Sequence, residues 1–346
     1  MEVALTLIEK VAVFFMMMIP GVILKKCNMI SDGFGKGLSN LVLYIAQPVL
    51  VFLAYLRDYD KEIMINSLYV LVFSVITHSL FAVVSGLAFR KAPDGQSRML
   101  RFATIFSNAA FMGIPLISAM LEGDPTSSLY FPGATLYASI YNITFNLFLW
   151  SLGVSICTKG RDENADGVDD YKEVSKITPS ATDDEKVKDG SGSIMKALLH
   201  PVTIAAAIGL VFFITPLNGY VPALIENAFT DLKNLVAPLS MVVIGIRLAD
   251  MSFKGMHKDL YMYVFLALRH LILPIAVVGI IKLCGLIIPI HPAVEMVIVI
   301  MSAAPAASSA TMFAEKFDCD AIYVSRLVTL STLLSIITMP LVLLLV

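Results

Sequence analysis

Phe106-Ser107-Asn108-Ala109-Ala110-Phe111-Met112-Gly113-Ile114-Pro115-Leu116 decides how this chain is read. The stretch lies in an apolar run from about Phe102 to Leu121, long enough to cross a bilayer. Pro115 cannot donate to the carbonyl four residues back, so the carbonyl of Phe111 is expected to lose its partner. Asn108 adds two donors and an acceptor that hydrocarbon cannot satisfy. Broken helices at membrane depth persist where they are buried in protein or line a wet cavity. The stretch therefore reads as half of a substrate site in a secondary transporter. The plain alternative is a kinked structural helix whose Asn bonds a neighbouring span.

The rest of the chain fits a membrane setting. Of its 346 residues, 58% are hydrophobic and 15% charged, with a mean hydropathy of +0.81. Soluble domains are nearer 45–50% apolar and about 25% charged. The fold class is an all-α polytopic membrane protein, and nothing in it is basic enough to hold nucleic acid. Cys27, Cys157, Cys284 and Cys319 show no metal or pairing spacing and read as apolar fillers. The first apolar segment has no basic leader and no small-residue cleavage site, so it reads as a retained span.

Ten transmembrane helices are expected, at about 3–24, 37–56, 63–89, 100–121, 129–157, 194–215, 228–249, 259–284, 293–314 and 321–345. The domains follow: 1–157 is a first five-helix unit, 158–193 a disordered loop, and 194–346 a second five-helix unit. The loop is acid-rich, with Asp169-Asp170 and Asp183-Asp184-Glu185. Ser175, Thr178, Ser180 and Thr182 are its candidate phosphorylation positions. Eighteen Lys and Arg fall in the odd-numbered connections, against Arg57, Lys61 and Lys233 in the even ones. The positive-inside rule puts the odd connections, loop 158–193 included, in the cytosol. Both termini then face outside or a lumen, with the plasma membrane and the endoplasmic reticulum as the candidate membranes.

The two units look related. Asn40, Tyr69 and Asn108 match Asn234, Tyr263 and Ser302 in similar contexts, each at an offset of 194. Five spans per unit make the second enter the membrane from the opposite side, an inverted repeat of the kind that builds alternating access. The counterpart of the opening stretch runs Met301-Ser302-Ala303-Ala304-Pro305-Ala306-Ala307-Ser308-Ser309. It again places a proline among small polar residues, and Pro305 should strand the carbonyl of Met301.

Two broken helices offer free N–H groups and partial positive charge at their inner N-termini. With the Asn108 amide and an apolar wall from Phe111 and Met112, they suit a small organic anion. Acids are nearly absent from span centres, so no cation coupling is evident, although a cation-coupled symporter of similar fold is an alternative. Arg269-His270 in span 8 reads as functional by default, or as an arginine capping carbonyls freed by Pro274. His78 reads as a hydrogen-bonded interior histidine, with proton sensing as the sharper reading. Gln47-Pro48 and Tyr141-Asn142 either line the cavity or bridge helices. No catalytic spacing, zinc motif or paired mid-membrane acids point to an enzyme, and no cofactor or metal is expected. A non-transporting organic-acid sensor or scaffold is the rival from another class.

Asn108, Met112-Gly113-Ile114-Pro115-Leu116, Pro305 with Phe313-Ala314, Arg269 before Pro274, and Trp150 together resemble the auxin efflux carrier family over all ten spans. The resemblance implies a homodimer in lipid. Each subunit would have a scaffold domain (spans 1, 2, 6, 7) and a transport domain (spans 3–5, 8–10) moving like an elevator. It also implies that spans 4 and 9 cross at their prolines, and that Asn108 binds the carboxylate. Tyr141, Gln47, Ser302 and Ser308 would line the cavity, with Pro115 and Pro305 at the crossing. Two departures stand out. Val202 follows Pro201 where the plant carriers have Asn, and span 3 lacks their acid and lysine. These put indole-3-acetate in question as substrate and leave other organic acids open.

Overall fold

The computed structural model describes residues 2–31, 33–158, 198–249, 259–317 and 319–346. Residues 159–193 of the acidic loop, with its four candidate phosphorylation positions, lie outside the described residues. So do Lys196, Lys254 and Lys258 of the basic count.

The described chain is helical throughout. Helices α1 (Glu2–Met16) and α2 (Ile19–Lys26) are separated at Met17-Met18, with Pro20 in the first turn of α2. They are followed by α3 (Phe34–Tyr55), α4 (Lys61–Ala88), α5 (Asp94–Ile105), α6 (Ala109–Glu122) and α7 (Ala134–Thr158). Beyond the loop come α8 (Pro201–Ile214), α9 (Ala223–Asn234), α10 (Val236–Ala249) and α11 (Leu260–Gly285). The last three are α12 (Pro292–Ala303), α13 (Ser309–Lys316) and α14 (Ala321–Leu343). Among the described residues, six helices are long and apolar enough to cross a membrane: α3, α4, α7, the continuous α9–α10, α11 and α14. They have 22 to 28 residues, which at about 1.5 Å per residue exceeds the roughly 30 Å hydrocarbon layer. The helices α6, α8 and α12 are apolar but shorter.

Sequence explains where the helices begin. The Asp60 carboxylate accepts from the N–H groups of Glu62 and Ile63 at the head of α4, and Asp259 does the same for Tyr261 and Met262 at the head of α11. Two His-Pro pairs start α8 and α12. His200 Nδ1 accepts from Val202 N–H and His291 Nδ1 from Ala293 N–H, with proline following in the first turn, where its missing N–H costs nothing. Capping histidines of this type were not anticipated from the sequence.

The helices pack in matched pairs. Helix α2 lies along α10, and α8 lies along the second half of α3. Helix α4 packs on α7 as α11 packs on α14, and α7 touches α12 as α14 touches α5. Where α2 meets α10 the backbones touch. A Cβ on Gly245 would sit 2.0 Å from the Met18 carbonyl oxygen, and one on Gly21 would sit 2.2 Å from that of Val242. Only glycine permits this approach, which gives packing contacts that lipid cannot otherwise provide.

Candidate functional site

The fourth and ninth expected spans are both interrupted. Helix α5 stops at Ile105, Phe106 is extended, and α6 begins at Ala109. Helix α12 stops at Ala303, Ala304 is extended before Pro305, and α13 begins at Ser309. The second break falls at its proline, as expected. The first does not: it lies seven residues before Pro115, and the helix runs through that proline. A widened π turn over Ala109–Gly113 precedes Pro115, in which both Met112 and Gly113 N–H donate to the Asn108 carbonyl at 3.0 Å. Such a turn lengthens the hydrogen-bonded loop and lets a helix absorb a proline without stopping.

The two breaks bond to each other. Asn108 N–H donates to the Pro305 carbonyl at 2.7 Å, and Ala307 N–H to the Phe106 carbonyl at 2.8 Å. This is a short antiparallel bridge centred on Ser107 and Ala306. The bridged positions are 199 apart in number, not 194, and Asp60 and Asp259 differ by the same 199. The sequence match of Asn108 to Ser302 is therefore not the pairing found at the crossing, where Asn108 and Ala307 hold equivalent places. The same 199 at the caps of α4 and α11 means that the 194 spacing fails along the helices as well as at the crossing.

The other freed backbone groups also find partners, as buried polar groups must. Arg269, fully buried on α11, donates through Nη1 to the Thr104 carbonyl at 3.1 Å and through Nη2 to the Ala304 carbonyl. It thus joins the C-terminal ends of α5 and α12. No carboxylate lies in an ion pair with it among the described residues. Each helix end carries about half a negative charge, so the two together match one guanidinium. Capping of carbonyls freed by Pro274 was one of the readings open from the sequence; the acceptors instead belong to the two breaks. Phe81 stacks under the guanidinium at 5.3 Å. Ala306 N–H donates to Ser331 Oγ on α14, which in turn bonds His270 Nε2, both at 2.8 Å.

The opposite ends, the N-termini of α6 and α13, face a cavity of about 100 Å³. Its walls are Ser107 to Phe111 and Ala307 to Ser309 with Met312 from the crossing, Leu43 and Gln47 from α3, and Asn142, Phe145, Asn146 and Leu149 from α7. His200 and Arg247 close it from α8 and α10. Among the described residues no carboxylate lines it. Gln47 donates to the Ala110 carbonyl at 2.9 Å, while its Oε1, Ser107 Oγ and Asn142 Oδ1 are buried with no protein partner. The Asn108 side chain makes no capping bond to α6. The cavity thus holds unused hydrogen-bonding capacity at two helix N-termini.

Of the candidate residues, Asn108, Gln47 and Ser308 line this cavity; Pro305 does not, and its carbonyl accepts from Asn108 N–H in the bridge. Tyr141 is buried behind it, its ring 5.1 Å from His78. Ser302 is buried and donates back to the Val299 carbonyl of its own helix at 3.0 Å. Pro115 borders a different depression of about 240 Å³ on the far side of the crossing, with Ser118, Glu122, Lys233 and Asn234. Phe111 is in the wall, but Met112 is not. His78 Nδ1 bonds the Ser74 carbonyl at 2.7 Å, in line with an interior histidine, and its Nε2 is unpartnered. Cys157 and Cys319, far apart in sequence, meet: Cys319 Sγ lies 3.8 Å from the Cys157 carbonyl oxygen. Sequence reasoning missed Arg247, His200 and Asn146. For Arg247 a signal was present, an arginine inside an apolar span.

Residues 6–343, nearly the whole chain, match the family described as membrane transport protein. No curated protein matches the chain.

Proposed function

Since the chain belongs to the auxin efflux carrier family of membrane transport proteins, we propose that it is a secondary transporter exporting a small organic anion through the crossing of its two broken helices. The observation that carries this reading is the cavity between Asn108 and the N-termini of α6 and α13. Among the described residues it has no acidic lining residue, and the Asn108 side chain makes no bond to the head of its own helix. A carboxylate entering it gains the partial positive charge of two helix ends and amide donors in a low-dielectric setting. The apolar wall of Leu43, Phe111, Phe145, Leu149 and Met312 accepts a short hydrophobic body. Ligand pockets commonly span about 300–1,000 Å³, so the smaller volume here favours a compact acid.

The matched helix pairs support a fold of two inverted five-helix repeats. Helices α1–α3 and α8–α10 form a scaffold, and the crossing with α4, α7, α11 and α14 forms the moving transport domain. The cavity and the depression at Pro115 flank the crossing along the same seam between these groups, as alternating access requires. With the basic connections in the cytosol, the cavity beside Asn108 is the cytosolic one. Export then needs no coupled cation, because an anion leaving a negative interior gains about 2.3 kcal/mol per 100 mV.

The test is efflux of labelled monocarboxylates and dicarboxylates from proteoliposomes under an imposed potential. Asn108→Ala should cut the rate at least tenfold while leaving the protein folded. Efflux from the variant at the wild-type rate overturns the site.

A further inference from the structure

The cavity beside Asn108 presents acceptors as well as donors, and a carboxylate alone cannot serve them. Gln47 on α3 is fully buried. Its Nε2 donates to the Ala110 carbonyl at 2.9 Å, in the first turn of α6. Only the N–H end of an amide can bond a carbonyl, so this contact fixes which way the group faces. Gln47 Oε1 is thereby left buried at the cavity wall, without a partner among the described residues. Asn142 Oδ1, from the α7 side of the same cavity, is buried and unpartnered as well.

We propose that the anion is a hydroxycarboxylate: its carboxylate faces Asn108 and the heads of α6 and α13, and its hydroxyl donates to Gln47 Oε1. The proposal rests on the anion-transport reading above and narrows its substrate class. A carboxylate offers acceptor lone pairs and no donor. Set beside Gln47 Oε1, it meets an oxygen that it cannot bond. By filling the cavity it also displaces the solvent that would otherwise serve that oxygen. A guest that carries a donor on the same molecule removes this cost.

The kind of donor follows from the surroundings. The two waiting oxygens are neutral, and among the described residues no carboxylate lines the cavity. A buried ammonium without a counter-charge is costly, so an uncharged hydroxyl fits better. A volume of about 100 Å³ favours a hydroxyl on a short chain over an N–H on a fused ring system. Gln47 is tied to Ala110, two residues beyond Asn108, so its free oxygen stands near the carboxylate end of the site. The hydroxyl therefore belongs on a carbon close to the carboxylate.

The experiment measures binding to the purified full chain by calorimetry at neutral pH. The probes are both enantiomers of lactate, propionate and alanine. They differ only in carrying a hydroxyl, a hydrogen or an ammonium on the carbon beside the carboxylate. Glycolate and acetate repeat the comparison without the methyl group. One enantiomer of lactate should bind at least about tenfold tighter than propionate, as expected when a buried acceptor otherwise goes unserved. Alanine should bind more weakly than that enantiomer. Gln47→Met keeps the length of the side chain and removes the acceptor. It should bring lactate to within about twofold of propionate, by loss of lactate affinity alone. Equal losses for both acids mean that the amide merely holds α6 in place, and they overturn the proposal. Propionate as tight as lactate on the wild-type chain overturns it without any variant and leaves the anion reading intact. So does alanine as the tightest ligand of the three. If none of these acids binds, the proposal fails, and the efflux assay with other carboxylates decides the transport reading separately.

Discussion

Replacing Arg269 by methionine tests what holds the crossing together. The side chain is fully buried and forks between the Thr104 and Ala304 carbonyls at the ends of α5 and α12. Bonds from a charged donor contribute about 1.5–3 kcal/mol each, so the fork is worth roughly 3–6 kcal/mol before any offset. Stacking on Phe81 adds on the order of 1 kcal/mol. Against this stands the desolvation of a buried guanidinium, several kcal/mol for an unpaired ion. The two helix C-termini recover part of that cost. Methionine removes the charge and its desolvation, but it orphans two buried carbonyls at about 1–3 kcal/mol each. The net loss should be roughly 2–4 kcal/mol, which for a chain of this length lowers the apparent Tm by about 3–6 °C. The assay is thermal unfolding of the detergent-purified protein followed by intrinsic fluorescence. Arg269→Lys keeps the charge but cannot fork across both carbonyls, so it should melt between the wild type and Arg269→Met. A methionine variant that melts with the wild type refutes the reasoning. So does a lysine variant indistinguishable from arginine, because it would show that the fork is immaterial.

Two further outcomes follow from the packing. Gly245→Ala should destabilise the chain by more than about 2 kcal/mol, because the added methyl meets the Met18 carbonyl at 2.0 Å, whereas Gly279→Ala on α11 meets nothing within 4 Å and should stabilise it by up to about 1 kcal/mol; the two melting curves check this. Ser331→Ala removes the acceptor of the buried Ala306 N–H and a partner of His270; it should cost about 1–3 kcal/mol and speed amide exchange at Ala306, measured by hydrogen–deuterium exchange.

Much of this arrangement was legible in the chain. Composition fixed the setting, and small residues around Asn108 and Pro305 marked both interrupted segments. The position of the first break was not legible. Proline chemistry points to Pro115, but a π turn absorbs that proline, and the chain opens at Phe106 to Asn108 because Pro305 and Ala307 offer hydrogen bonds there. Such a choice is made by a partner about two hundred residues away. The 194-residue offset misled because matches of two or three residues among apolar and small side chains recur without structural equivalence, whereas the helix caps and the bridge share a spacing of 199. Asn108 and Gln47 stood out as cavity candidates because polar side chains at membrane depth are rare, whereas Ser308 came from the family resemblance. Arg247 was passed over because, near a helix end, an arginine resembles one reaching for the interface. Its contacts with Ser308 and Phe111 distinguish it, and they depend on the fold.

The most direct measurement is a structure of the protein with a compact carboxylate that carries an anomalous scatterer, such as (methylseleno)acetate, located by its anomalous signal. The account predicts a peak in the cavity between Asn108, Gln47 and the head of α13, with the carboxylate turned to Asn108. A peak confined to the depression at Pro115, or to the surface hollow around Arg57 and Asn218, would contradict it.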